Sequence, residues 1–441
     1  MRRWNFPIRT LVIFDINKIR SDIVKKIYSS IDIGSDTIKF VVAEYYNKKV
    51  NVLASYSIKS KGVRRGLIVD SNLTINAIKD GMKYINDSLG IIIKKVIVNV
   101  PSYNAKFMFV TGSIDITSED EVITTDDVNN VIKNSIYNKL PSDHELVTVL
   151  PITFILDDNE KVDKPVGKSC KKLGIKAMMI STPKKNIYSV ISVIEGANLQ
   201  VTDITLSGIA DYYETKFDKS DKNIGAIINI GHEVTDVSII KNGKLMNTDV
   251  IQLGGVNVEK DLAYVFGISI FDARVIKEKF ASSNKRFCNI GEVYEVENTV
   301  GEKLKLNQLE ISEVVQNRLE EILKYAKKDI LELTKQNISY LIITGGMTEI
   351  KSFKNLVFEF LGKDVIIYTE NTLGIRNNMY TTSLGMIKYF IDKMEIRGKE
   401  YTTITKEDEE RLINPNKGKK DNVFISKIFG SFIASKEEKN E

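Results

Sequence analysis

Cysteine and histidine are nearly absent, with only Cys170, Cys288, His144 and His232 in 441 residues. Two cysteines far apart, in no ligand spacing, argue against a disulfide framework or a thiolate metal centre and fit a reducing compartment. Two isolated imidazoles leave little from which to build a histidine zinc site or a Ser-His-Asp triad. Charge of one sign is missing too. Because 63 basic side chains face 58 acidic ones, for a formal net charge of +5, no uniform field marks nucleic acid as a partner, and none is expected. Nor does any uncharged apolar run reach the length that spans a bilayer, which restricts membrane contact to the peripheral kind. Near the start, Trp4, Phe6 and Leu11 to Phe14 imitate a signal peptide, but Arg9 and Asp15 interrupt the apolar run and no small-residue cleavage pattern follows, so export is not expected.

What is present is an alternation of Ile- and Val-rich strand signals with helical stretches, the mark of an α/β protein with substantial sheet. Two stretches look alike. Ile31-Asp32-Ile33-Gly34-Ser35-Asp36-Thr37 runs into a strand over 38–42, a polar turn at 47–49 and a returning strand over 50–56. Ile228-Asn229-Ile230-Gly231-His232-Glu233 runs into a strand over 234–240, an Asn242-Gly243 turn and a return over 244–251. The two glycines stand 231 − 34 = 197 positions apart, which points to two homologous halves. A third strand ends in Gly345-Gly346-Met347 and is followed by a helix expected over about 352–361. Between the halves, the segment from the strand at 95–100 through a helix at 125–139 reads as a separate α+β insertion.

The first loop carries the chemistry of phosphate binding. Gly34 lets backbone approach a ligand, Ser35 and Thr37 offer hydroxyls, and neighbouring amides can point at oxygens. Lys39 supplies a cation, and Asp32 is the candidate for Mg²⁺, held through water because magnesium keeps much of its hydration shell. Alone this motif is weak, and an ordinary hairpin turn explains it. Its repetition around Asn229 and Gly231 is what favours two opposed hairpins gripping a triphosphate.

These residues, in this order, resemble the actin, sugar kinase and heat-shock ATPase superfamily. Finer features narrow the resemblance to the FtsA family of bacterial cell-division proteins: Ser30 to Ser35, Gly62 to Asp70, Ile123-Thr124, Ile251 to Gly255 with Asp261, Leu341 to Gly346, and Ser383 to Met386. The resemblance implies an actin-like, ribonuclease H-like duplicated fold with two lobes around a nucleotide cleft. It assigns 29–92 and 182–222 to the first lobe, 93–181 to the insertion subdomain, and 223–390 to the second lobe with a subdomain inserted at about 258–336. Residues 1–28 have no counterpart and read as an N-terminal extension; 391–421 reads as a linker. It also implies ATP with Mg²⁺ as ligand, contacted by Asp32, Gly34, Ser35, Asp36, Thr37 and Lys39 in the first half, and by Asn229, Gly231, His232 and Thr235 in the second. Gly254, Gly255, Lys277, Gly345, Gly346 and Met347 follow around ribose and base. Self-association into filaments and contacts with other division proteins are implied for the insertion, and binding of the FtsZ C-terminal tail for Arg318 and Glu321 on a helix over 314–323. Such a protein works at the division site, on the cytoplasmic face of the cell membrane.

Three departures matter. Asn229 stands where many relatives have Asp, and an amide neither accepts a proton from water nor holds metal as a carboxylate does, so hydrolysis is expected to be slow or absent. Glu233 would repel phosphate unless it turns outward. Arg274 sits where a Glu often meets the ribose. A pilus or secretion assembly protein and a small-molecule kinase share the fold and are the alternatives.

The last element is an apolar stripe. Phe424, Ile425, Ile428, Phe429, Phe432 and Ile433 fall at helical spacing on one face, with Lys427 opposite. Behind a charged linker, the helix at 422–434 is expected to lie in an anionic lipid surface rather than on the protein's own core. Lys417, Lys419, Lys420 and Lys427 add about 1 kcal/mol apiece near such lipid. One copy binds reversibly, and a filament of many copies binds far more tightly.

Overall fold

The computed structural model describes residues 26–217, 223–399, 401–405, 407–408 and 412. The proposed amphipathic helix with Phe424 to Ile433 lies outside the described residues, as do residues 413–421 of the charged linker.

In chain order, β1 (Lys26–Ile33), β2 (Thr37–Tyr46) and β3 (Lys49–Lys59) form an antiparallel meander. A short hairpin, β4 (Val63–Arg64) and β5 (Leu67–Ile68), leads to α1 (Ser71–Leu89), and β6 (Lys95–Val100) returns parallel to β1. The insertion then contributes β7 (Lys106–Asp115), α2 (Thr125–Ile136), β8 (His144–Leu156), β9 (Glu160–Val162) and β10 (Lys172–Pro183). α3 (Lys184–Gly196) and β11 (Gln200–Leu206) complete the first sheet, and α4 (Ser207–Thr215) follows. The second half opens with β12 (Ile224–Ile230), β13 (Thr235–Lys241) and β14 (Lys244–Ile251). After it come α5 (Gly255–Phe266), α6 (Ile270–Lys279), β15 (Val293–Glu297), β16 (Lys303–Asn307) and the long α7 (Gln308–Thr334). β17 (Tyr340–Thr344), α8 (Phe353–Leu361), β18 (Val365–Ile367) and α9 (Thr381–Ile396) follow.

The two large sheets have the same order: β3-β2-β1-β6-β11 in the first lobe and β14-β13-β12-β17-β18 in the second. In each, three antiparallel strands are extended by two parallel ones, so the 197-residue repeat is a repeat of structure. β1 and β12 are central in their sheets and buried along almost their whole length, β1 even at Ser29, Ser30 and Asp32. Helix ends obey local chemistry. The Asp70 carboxylate accepts from the Leu73 amide at the start of α1, and Thr124 and Asp127 close a capping box on α2. One core joins Ile78, Ile85, Val190, Val193 and Ile194 of α1 and α3 to Val96 and Val98 of β6. A second joins Val315, Leu319, Ile322 and Ala326 of α7 to Ile228, Val237, Ile343 and Phe353. The insertion has its own core around Phe154, Val128, Val131 and Leu173.

Four boundaries differ from the sequence expectation. The extension read as 1–28 ends earlier, because Ile27 and Tyr28 are 3% and 2% exposed within the central strand. The insertion read as starting at 93 begins after β6, which pairs with β1 and β11 in the first lobe's sheet. The two crossover helices are exchanged: α4, assigned to the first lobe, packs under β12, β13 and β14, while α9, assigned to the second, packs on β1, β2 and β6. The linker read from 391 starts later, since α9 runs to Ile396 and Thr403 donates its amide to the Ile27 carbonyl at 2.8 Å. All four reflect pairing between residues distant in sequence, which apolar runs alone do not encode.

Candidate functional site

The equivalent hairpins face each other. In the first, Asp32 lies opposite Lys39 across the β1–β2 ladder, and in the second, Asn229 lies opposite Asp236 across β12–β13. Their connecting loops, 34–36 and 231–234, border a single cleft of about 550 Å³ between the lobes. The β4–β5 hairpin, Asn99 to Tyr103, Arg274, and the stretch Gly345 to Met347 complete its walls.

Gly345 is held at φ +98°, a region that favours glycine, and a Cβ there would strike the Ile230 backbone. This brings β17 and β12 close enough for backbone to form one wall. Gly254 plays another part. The Gly231 and His232 carbonyls accept from the Gly255 and Val256 amides at 3.0 and 2.7 Å, tying the start of α5 to the second loop. A Cβ on Gly254 would lie 2.7 Å from each of those two oxygens.

Charge is arranged in linked pairs. Lys39 Nζ donates to Asp32 at 3.0 Å and Asn99 Nδ2 to its other oxygen at 2.9 Å. Asp36 receives both arms of Arg274, at 2.6 and 2.7 Å, and Lys59 as well. Burial pushes the Asp36 carboxyl up, but the hydrogen bonds from Arg274 and Lys59 outweigh it and hold it well below the usual carboxylate range. Arg65 spans the cleft mouth, its amide donating to Glu233 and its guanidinium to Gln252. Glu233 lines the cleft but is engaged at its mouth by the Arg65 amide of the opposite lobe. Lys277, 4% exposed, donates to Glu259, which His232 also faces at 3.2 Å.

Of the residues expected at the site, Asp32, Gly34, Ser35, Asp36, Thr37, Lys39, Asn229, Gly231, His232, Lys277, Gly345, Gly346 and Met347 line the cleft. Thr235, Gly254 and Gly255 do not. Thr235 is fully buried, its hydroxyl donating to the Leu253 carbonyl at 2.9 Å, and the two glycines support the loop from behind. Arg318 and Glu321 are on α7, where Arg318 forks onto Asp261 of α5 and also pairs with Glu321.

Two carboxylates escape the motif reading. Asp236, half-buried in the cleft, has no hydrogen-bond partner among the described residues. Desolvation, then the charges of Asp211 and Asp32, push it up to about 7. The repeat itself signals it, since Asp236 follows Asn229 at the interval by which Lys39 follows Asp32. Asp211, on α4, is 1% exposed and lies behind Asn229. No group of three or more His, Cys, Asp or Glu side chains arranged to hold a metal alone is found among the described residues. An unpartnered carboxylate beside glycine loops and hydroxyls fits a hydrated cation carried in by a polyphosphate.

Comparison with known proteins agrees with this construction. Residues 226–385 match the family model for Cell division protein FtsA, and residues 104–181 match that for the SHS2 domain inserted in FtsA. The chain is 27% identical to Cell division protein FtsA of Enterococcus hirae, over 84% of each chain. It is 26% identical to that of Bacillus subtilis, over 85% of this chain and 86% of the relative, and 28% identical to that of Streptococcus pneumoniae, over 82% and 79%. Among solved structures, the PilM-PilN type IV pilus biogenesis complex superposes with a TM-score of 0.56 at 13% identity, over 81% of this chain and 97% of that one. MreB5 of Spiroplasma citri bound to ADP gives 0.52 at 12% identity, over 85% and 99%. The fold is therefore actin-like, and with two FtsA models matching separate parts of it and relatives of the same name matched over 79–86% of their length, the chain belongs to the FtsA family.

Proposed function

We propose that this chain is an ATP-binding, actin-like cell-division protein that assembles into filaments and tethers the FtsZ ring to the cytoplasmic face of the membrane. The observation that carries the reading is the meeting of the duplicated loops across one cleft. Ser35, Thr37, Lys39 and the loop amides would hold the phosphates, Asp32 and Asp236 the water shell of Mg²⁺, Lys277 and Glu259 the ribose, and Gly345 to Met347 the base. Bound Mg²⁺ supplies charge neutralisation for the triphosphate. Asn229 offers no base for an attacking water, so turnover is slow and the nucleotide acts as a conformational ligand.

The MreB5 structure was solved with ADP, which supports a nucleotide in the equivalent cleft. The likeness to a pilus complex is one of fold, whereas the sequence relatives are division proteins. On this reading the FtsZ tail binds α7 near Arg318 and Glu321, the insertion makes the filament and partner contacts, and residues 422–434 attach to the membrane. Among the described residues no helix is long and apolar enough to cross a membrane.

Co-sedimentation with anionic vesicles, with and without residues 422–441, tests the tether while ATP titration tests the cleft. ATP-dependent pelleting that requires the tail, together with capture of an FtsZ C-terminal peptide, is the expected result. ATP binding with neither lipid nor peptide binding would instead favour an assembly protein of the pilus type.

A further inference from the structure

Asp211 is a fully buried acid that the cleft does not touch directly. It sits on α4, a helix packed beneath the second lobe's sheet, between two donors from elsewhere in the fold. Asn229 Nδ2 reaches one carboxylate oxygen at 2.8 Å and Thr382 Oγ1, from α9, the other at 2.7 Å. Asn229 Nδ2 also lies 3.3 Å from Thr382 Oγ1. Burial pushes the Asp211 carboxyl up to about 7, against the pull of the Thr382 and Asn229 hydrogen bonds.

The consequence is directional. In its ionised form the Asp211 carboxylate only accepts, so above its raised pKa it holds the amide of Asn229 with nitrogen inward. Asn229 Oδ1, which has no hydrogen-bond partner among the described residues, is left facing the cleft wall beside Gly345. A flip would turn Oδ1 onto the Asp211 oxygen, acceptor against acceptor, and strand a buried charge.

We propose that Asp211 is a positioning residue for the nucleotide cleft: it fixes Asn229 so that a neutral oxygen meets the water shell of the bound nucleotide, while the carboxylate of the pair stands one hydrogen bond behind. The cleft thus has an amide in front and an acid behind, and the two roles are exchangeable in principle. This inference rests on the nucleotide reading of the site.

The test is a double-mutant cycle in the full chain, D211N, N229D and D211N/N229D, with ATP titrated in Mg²⁺ and again in EDTA, and thermal unfolding measured alongside. D211N frees the amide to flip, and N229D sets two carboxylates face to face. Each is expected to weaken Mg·ATP about fivefold or more and to lower the melting temperature. The exchanged double variant is expected to return to within about twofold of wild type in both readouts, the non-additivity of a coupled pair. With a carboxylate now in front, its ATP affinity in EDTA falls about tenfold or more below wild type, a change that a purely structural role for the pair would not produce.

Additive losses in the double variant, or a D211N protein that binds Mg·ATP as wild type does, would overturn the proposal. Failure of the double variant to fold would do the same, since exchange would then not restore the pair. Absence of ATP binding by wild type would instead remove the nucleotide reading, and this inference with it. If both single variants are insoluble and the double variant is soluble and binds ATP, the pairing stands.

Discussion

Replacing Gly254 with alanine tests how the second loop is held. The backbone at Gly254 is extended, so alanine meets no conformational penalty and the whole effect is steric. Its Cβ would lie 2.7 Å from the Gly231 and His232 oxygens and 2.8 Å from the His232 carbonyl carbon, all backbone atoms that cannot rotate away. Either the contact is tolerated as overpacking, at about 1–3 kcal/mol, or the loop withdraws and loses two backbone hydrogen bonds, each worth about 0.5–1.5 kcal/mol. Both routes displace Gly231 and His232, which line the cleft. Since every 1.4 kcal/mol is a factor of about ten, ATP affinity should fall about tenfold, read by calorimetric titration beside a thermal melt. Gly267 is the control, with φ +62° and open space around its Cβ. Alanine there costs about 1–2 kcal/mol of stability through backbone strain and leaves ATP binding alone. ATP affinity in G254A within twofold of wild type would refute the claim that α5 braces the loop.

Asp236→Asn removes a carboxyl whose folded-state pKa is raised to about 7, so the wild-type protein loses stability as pH climbs from the ordinary Asp range through that value. The apo variant should melt higher than wild type at pH 8 and equally at pH 4, and a uniform shift at both would count against the assignment. Asp36 has the opposite sign: its pKa is depressed, so its stabilising effect is present above the unfolded value and lost as pH falls through the folded one. R274A should therefore move acid unfolding to higher pH, as followed by circular dichroism; an unchanged acid midpoint would exclude the cross-cleft pair as a contributor. Phe353→Ala empties a site that is 2% exposed in the second core and should cost about 3–5 kcal/mol in urea unfolding, with a loss under 1 kcal/mol contradicting the packing described. Arg318→Met breaks the fork onto Asp261 without introducing repulsion and should lower affinity for an FtsZ tail peptide while leaving ATP binding intact; retained peptide affinity would move that surface elsewhere.

The duplicated hairpins were legible in the sequence because each is local: strand, glycine loop, strand and turn lie within about thirty residues, and turn chemistry marks their ends. The sheet to which a strand belongs was not legible in the same way. Lys95–Val100 reads as apolar strand whether it joins β1 or the insertion, and only its parallel pairing with residues some seventy positions away decides. The exchange of α4 and α9 is hidden for the same reason, as both helices bury residues on several sides. Among site residues, glycines and hydroxyls announced themselves by motif. Asp236 was recoverable only by laying one half over the other. Asp211 had no motif at all, merely an acid inside the apolar run from Leu206 to Tyr213, and its meaning depends on Thr382, far along the chain.

Because each lobe lends a crossover helix to the other, the two halves are interlocked through the packed pair α4 and α9 rather than joined by a loose strap. Asp211 of α4 and Thr382 of α9 are hydrogen-bonded where the two helices pack, directly behind Asn229 of the cleft. A ligand that shifted Asn229 would therefore press on both crossover helices at once, so neither half could respond to the cleft's occupant alone.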